Sequence, residues 1–222
     1  HMYDKIKKIK NLRGRLSEFS LLFSTVRGPE ILKGECFVEL APLLKEVPAI
    51  IGDNNHFFSK EINPILPVLE KVEEKLAPFG KNEISNGLGG VRWCLDHGLT
   101  QQGITLLQEV IVTVILGAEK IDSLKFENRQ FVSEYIGTIE KIRNGKKLKK
   151  LEKLKQEIGF ETAGKIEGSR VLKDLASSFN TLRKDRNDIS HAGFRKNGLK
   201  GKKFREHLEE TFSKVEEKIS CI

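Results

Sequence analysis

Residues 91–116 read VRWCLDHGLTQQGITLLQEVIVTVIL, and this stretch decides the fold class. Trp93, Leu95, Leu99, Ile104, Leu107, Val110, Ile111, Val114 and Ile115 recur largely at separations of three and four, the period that gathers side chains on one face of an α-helix. Gly98 and Thr100 break the run, so the segment is expected to fold as a pair of core helices. The strongly apolar part, residues 110–116, falls far short of the roughly 20 residues that span a bilayer.

The same period extends in both directions, while alternating runs and hairpin signals are scarce, so an all-α chain is expected. Upstream, Ile6, Ile9, Leu12, Leu16, Phe19 and Phe23 form one stripe over residues 3–23, interrupted by Arg27-Gly28-Pro29. Further helices are expected near residues 33–47 and 57–76, with limits blurred by Pro42, Pro48, Pro64 and Pro67. Asn86-Gly87-Leu88-Gly89-Gly90 lacks both the lysine of a phosphate loop and the strand before a dinucleotide fingerprint, and reads as a flexible break.

Downstream, helices are expected over residues 126–142, a heavily basic 146–158, 171–189 and 203–219. The third of these carries Leu172, Leu175, Phe179 and Leu182 at helical spacing, and Gly193 can supply its left-handed stop. Gly159, Gly164 and Gly168 read as a connecting loop. The whole is expected to form one helical domain, with residues 3–85 as accessory helices before a core of 86–222. His1-Met2 has the look of a cloning remnant.

Apolar residues at 38% and charged residues at 32% suit a soluble globular protein. Cys36, Cys94 and Cys221 are an odd number without C-x-x-C pairing, which disfavours a disulfide framework or zinc knuckle and points to the reducing cytoplasm. His97 and His207 lack partners at metal-ligand spacing and His56 is expected in a loop; no metal, cofactor or membrane association is expected.

Charge is the first functional signal. The chain has 39 Lys and Arg against 31 Asp and Glu, yet residues 141–205 hold 20 against 7, which leaves 19 against 24 elsewhere. Such a basic third attracts polyanions with salt-sensitive affinity and without sequence preference.

Inside it lies Arg183-Lys184-Asp185-Arg186-Asn187-Asp188-Ile189-Ser190-His191-Ala192-Gly193. RNA cleavage needs a proton-transfer group near neutral pH and a cation for the developing phosphorane charge, and histidine and arginine suit those tasks. Five residues along a regular helix turn the side chain by about 140° from its start, so Arg186 and His191 would not share a cleft on an undistorted helix. Either the helix ends between them or a second chain completes the site across a symmetric interface. The plainer reading makes His191 a helix terminator and pairs Arg186 with Asp185 or Asp188.

The R-N-x-x-x-H segment, late in an all-α chain, resembles the active-site motif of HEPN ribonucleases. Trp93-Cys94-Leu95-Asp96-His97-Gly98-Leu99-Thr100-Gln101-Gln102-Gly103-Ile104-Thr105-Leu106-Leu107-Gln108-Glu109 is similar to the helix pair of CRISPR-associated type III accessory ribonucleases, in their DxTHG-motif branch. Phe19, Leu22, Phe23 and Arg27 also resemble the start of that helical domain. No D-x-T-H-G occurs here, so the sensor domain that binds cyclic oligoadenylate in such proteins is expected to lie outside this chain.

The resemblance implies a HEPN-like helical bundle that cleaves single-stranded RNA without metal, as a homodimer, in antiviral defence. It assigns proton transfer to His191, phosphate binding and charge stabilisation to Arg186, and an orienting hydrogen bond to Asn187. Arg183, Lys184, Arg195 and Lys196 become candidate phosphate contacts, and Glu109 a tether for an active-site cation or a structural ion pair. Two alternatives stay open: a non-catalytic RNA-binding or dimerisation module, and a HEPN toxin of a toxin-antitoxin pair.

Overall fold

The computed structural model describes residues 2–52, 65–80, 82–143, 149–192, 194 and 198–222. Among them are eleven helices and no strand: α1 (Met2–Ser24), α2 (Gly28–Lys33), α3 (Glu35–Gly52), α4 (Leu66–Leu76), α5 (Glu83–Asp96), α6 (Thr100–Ala118), α7 (Phe126–Arg143), α8 (Lys149–Ile158), α9 (Phe160–Gly168), α10 (Arg170–Ser190) and α11 (Gly201–Ile219). The all-α expectation holds. Packing divides the chain into two compact units, His1–Trp93 and Cys94–Ile222, with the division inside α5.

In the first unit α3 packs against α1 and α4. Leu40, Leu44 and Val47 bury one stripe of α3, and that burial carries the helix through Pro42 and Pro48 despite their missing donors. Arg27-Gly28-Pro29 interrupts the first helix as expected: α1 ends at Ser24, Arg27 is the N-cap of α2, and Pro29 falls in its first turn, where proline is tolerated. Phe19, Phe23, Phe37, Phe79 and Trp93 form an aromatic cluster in which Phe19 meets Trp93 edge-on at 4.7 Å.

Asn86-Gly87-Leu88-Gly89-Gly90 is helix rather than the expected flexible break. The Asn86 amide is buried and satisfied at both ends, donating to the Leu32 carbonyl at 2.8 Å and accepting from the Gly80 N–H at 2.6 Å. A Cβ at Gly89 would sit 3.3 Å from the Phe79 ring, so this glycine serves close packing and not flexibility.

In the second unit α6 is the central helix, packed against α7, α10 and α11. It is the one described helix long and apolar enough to cross a membrane by composition, and most of it is buried within the unit. Leu172, Leu175, Phe179 and Leu182 form the buried stripe of α10 as their spacing predicts, and Ser169 caps its start by accepting from the Leu172 N–H. The expected glycine loop at 159–168 is corrected: residues 160–168 form α9, held by buried Ala163 and Ile166. Parts of the expected helices, residues 57–64 and 146–148, lie outside the described residues.

Candidate functional site

Helix α10 carries the R-N-x-x-x-H segment at its C-terminal end, and packing sorts its side chains by face. Asp185 and Asp188 continue the buried stripe as carboxylates, so each needs a partner. Asp185 lies 3.1 Å from His207 Nδ1 of α11, and Asp188 Oδ2 accepts from the Leu199 N–H at 2.7 Å. Burial pushes the Asp185 carboxyl above its usual range, against the hydrogen bond from His207, which pulls it down. These two contacts fix the rotation of α10 about its axis and so decide where its other side chains point.

Arg183, Arg186 and Asn187 point into a cleft of about 260 Å³. Phe179 forms part of its wall, with Gln108 and Glu109 from α6 and Gln130, Ser133 and Glu134 from α7. Arg183 donates to the Gly137 carbonyl at 3.4 Å. The guanidinium lies so close over Gly137 that a Cβ there would be 3.0 Å from its Cζ, so glycine at this point of α7 makes its seat.

Both carboxylates of the cleft are neutralised from behind. Glu134 pairs with Lys150 at 2.9 Å, and Glu109 pairs with Arg129 at 2.5 Å. Arg129 also donates to the Glu109 carbonyl, Thr113 Oγ1 and the Ser123 carbonyl, which makes it a clamp between α6 and α7. Glu109 is therefore a structural ion pair and tethers neither Arg183 nor Arg186. Among the described residues Arg186 has no ion-pair partner, and the expected contact with Asp185 or Asp188 is not made because His207 and Leu199 engage them. Arg183 and Arg186 thus leave the cleft with uncompensated positive charge, a ready seat for phosphate.

His191 stands apart from this cleft. Helix α10 ends at Ser190, and His191 is its C-cap, exposed, with its N–H bonded to the Asn187 and Asp188 carbonyls. The helix keeps its winding up to that point, so Arg186 and His191 retain the wide angle expected of an undistorted helix. Ala192 is in the left-handed region, with φ of +50°; Gly193, expected to supply the stop, lies outside the described residues. Lys184 is exposed and outside the cleft lining; Arg195 and Lys196 lie outside the described residues.

Three features of the site carry no readable signal in the sequence. Arg129 is an ordinary cation on an amphipathic helix until α6 is placed against it. The Asp185–His207 contact joins residues 22 apart, with no local pattern to announce it. Gln108 sits beside the flagged Glu109, yet it is the more buried of the two, with both amide atoms unpartnered among the described residues. The first unit holds a larger groove of about 610 Å³, but its Arg15 is bonded to both Glu18 and Glu39, so its charge is spent internally.

Compared with protein-family models, curated proteins and solved structures, the chain matches none.

Proposed function

We propose that this chain is a metal-independent endoribonuclease that cleaves single-stranded RNA as a homodimer, an effector of the type III CRISPR antiviral kind its motifs resemble. The observation that carries the reading is Arg186, held in a cleft with Arg183 and Asn187 and left without a carboxylate partner among the described residues. A cation kept uncompensated in a concave site, within a chain third that has 20 basic against 7 acidic residues, suits a phosphodiester.

The RNA supplies its own nucleophile. Its 2′-hydroxyl attacks the adjacent phosphorus while the bond to the 5′-oxygen breaks, which leaves a 2′,3′-cyclic phosphate and a 5′-hydroxyl. His191 transfers a proton in that exchange, Arg186 binds the phosphate and stabilises the charge on the phosphorane oxygens, and Asn187 orients His191 or Arg186 by a hydrogen bond. Within one chain His191 does not line the Arg186 cleft, so a second copy is needed to bring an imidazole to it. The same separation is what a non-catalytic RNA-binding module would present, and the two readings differ in whether RNA is cut.

The test is incubation with fluorophore-quencher single-stranded RNA in excess EDTA, followed by identification of the product ends. Cutting that leaves 2′,3′-cyclic phosphate is the expected result. Salt-dependent binding without cutting at high protein concentration makes the chain a binding module instead.

A further inference from the structure

Gln108 of α6 is 1% exposed, yet neither its amide nitrogen nor its amide oxygen has a hydrogen-bond partner among the described residues. Such a group is costly to keep, because each buried polar atom gives up its bond to water and gains none in return. The next residue shows the contrast: the Glu109 carboxylate is bonded by Arg129. The placement of Gln108 gives its idle amide a use. It lines the cleft that Arg183, Arg186 and Asn187 enter, and all four belong to the second compact unit. Buried Phe179 stands four residues before Arg183 on the same face of α10, so an apolar wall adjoins the two guanidinium groups about one helical turn away.

We propose that Gln108 binds the edge of a nucleobase, in the nucleotide whose phosphate Arg186 holds. The ligand class rests on the ribonuclease reading above, and the amide narrows it. A phosphate only accepts hydrogen bonds, so it would serve the amide N–H groups and set its own oxygens against the amide oxygen. A base edge presents a donor and an acceptor side by side, which an amide meets with two parallel hydrogen bonds, as glutamine does with adenine. The cleft of about 260 Å³ is smaller than the roughly 300–1,000 Å³ of sites for drug-sized ligands, so it suits one nucleotide and not a longer stretch. Turning the amide toward the ligand breaks no hydrogen bond within the described residues, because it holds none there. Gln108, Phe179 and Arg186 all come from one chain, so the base seat is compatible with the second copy that the proposed reaction requires.

The probes are a single-stranded deoxyoligonucleotide of mixed sequence, which has no 2′-hydroxyl to attack, and an abasic strand of the same length, which keeps the phosphates and lacks the bases. Gln108→Met keeps the length of the side chain and removes both polar atoms. It should weaken binding of the base-bearing strand about 5- to 100-fold and leave the abasic strand unchanged. Without nucleic acid the same variant should unfold at an equal or higher urea concentration, because an unpartnered amide has left the interior. Gln108→Leu repeats both measurements with a differently shaped apolar chain. Equal weakening of both strands overturns the proposal and assigns Gln108 to the phosphates, and unchanged affinity for both overturns it too. Marked loss of stability in both variants overturns it, since the amide then has a partner in the folded protein. A change in sedimentation of Gln108→Met without nucleic acid overturns it by assigning the amide to a contact between copies. A base-dependent loss in a protein that never cuts RNA upholds the base seat and sinks the ribonuclease reading alone. RNA cutting without the base-dependent loss sinks the base seat alone.

Discussion

Arg129→Ala removes the clamp behind the cleft in one step. The guanidinium donates through Nε and Nη2 to Glu109 Oε2, at 3.1 and 2.5 Å, through Nη2 to the Glu109 carbonyl at 2.9 Å, and through Nη1 to Thr113 Oγ1 at 3.1 Å and the Ser123 carbonyl at 2.7 Å. Breaking a fully buried ion pair costs about 3–5 kcal/mol, because the surviving charge is stranded. Here the Glu109 side chain is 36% exposed and water can solvate it, which lowers that figure. The lost hydrogen bonds to backbone carbonyls push the other way. The expected loss is about 2–4 kcal/mol for Arg129→Ala, against about 1 kcal/mol for Glu109→Gln, which keeps an acceptor facing the guanidinium. Urea unfolding followed by far-UV circular dichroism measures both from midpoints at a common slope. The released Glu109 carboxylate also adds negative charge to the cleft, so RNA binding by Arg129→Ala should weaken most at low salt. Stability within about 0.5 kcal/mol of wild type, or Glu109→Gln as damaging as Arg129→Ala, would refute the clamp.

Gly137→Ala places a methyl where the Arg183 guanidinium lies, and a flexible side chain yields more readily than backbone. Stability should hold or rise by up to about 1 kcal/mol from helix propensity while RNA affinity falls; unchanged affinity in a salt titration would show that Arg183 makes no phosphate contact. Ala192→Gly relieves the left-handed position after His191 and should stabilise by about 0.5–1 kcal/mol in thermal unfolding, whereas a loss would mean that the position is not strained. Burial raises the Asp185 carboxyl, so between the ordinary carboxylate value and the raised one the folded state holds more proton than the unfolded chain. Stability from this group is complete below the ordinary carboxylate value and falls as pH rises through the raised one. Asp185→Asn should lack that decline when urea midpoints are compared across the acidic range, and identical pH slopes would contradict it.

The long amphipathic stretches were legible because burial of one face is written in the three-four period. The stripes of α1, α6 and α10 appear as their sequences predict, down to Leu172, Leu175, Phe179 and Leu182. Glycine misled twice. At 86–90 and 160–168 glycine suggests flexibility, but buried neighbours such as Asn86, Ala163 and Ile166 hold those segments helical. Local pattern also placed Arg183, Arg186 and Asn187 together, since offsets of three and four share a helix face. Glu109, Arg129 and the Asp185–His207 pair depend on which helix lies against which, a tertiary fact that no local spacing encodes.

In the proposed ribonuclease, Arg186 and His191 act together in cutting RNA. The most direct measurement is cleavage of single-stranded RNA in excess EDTA by wild type, Arg186→Ala and His191→Ala, each first shown to be folded and dimeric. Wild type should cut, and either variant should lose at least about 100-fold, the scale of a missing proton-transfer or charge-stabilising group. Undiminished cutting by both variants, or none by wild type, would contradict it.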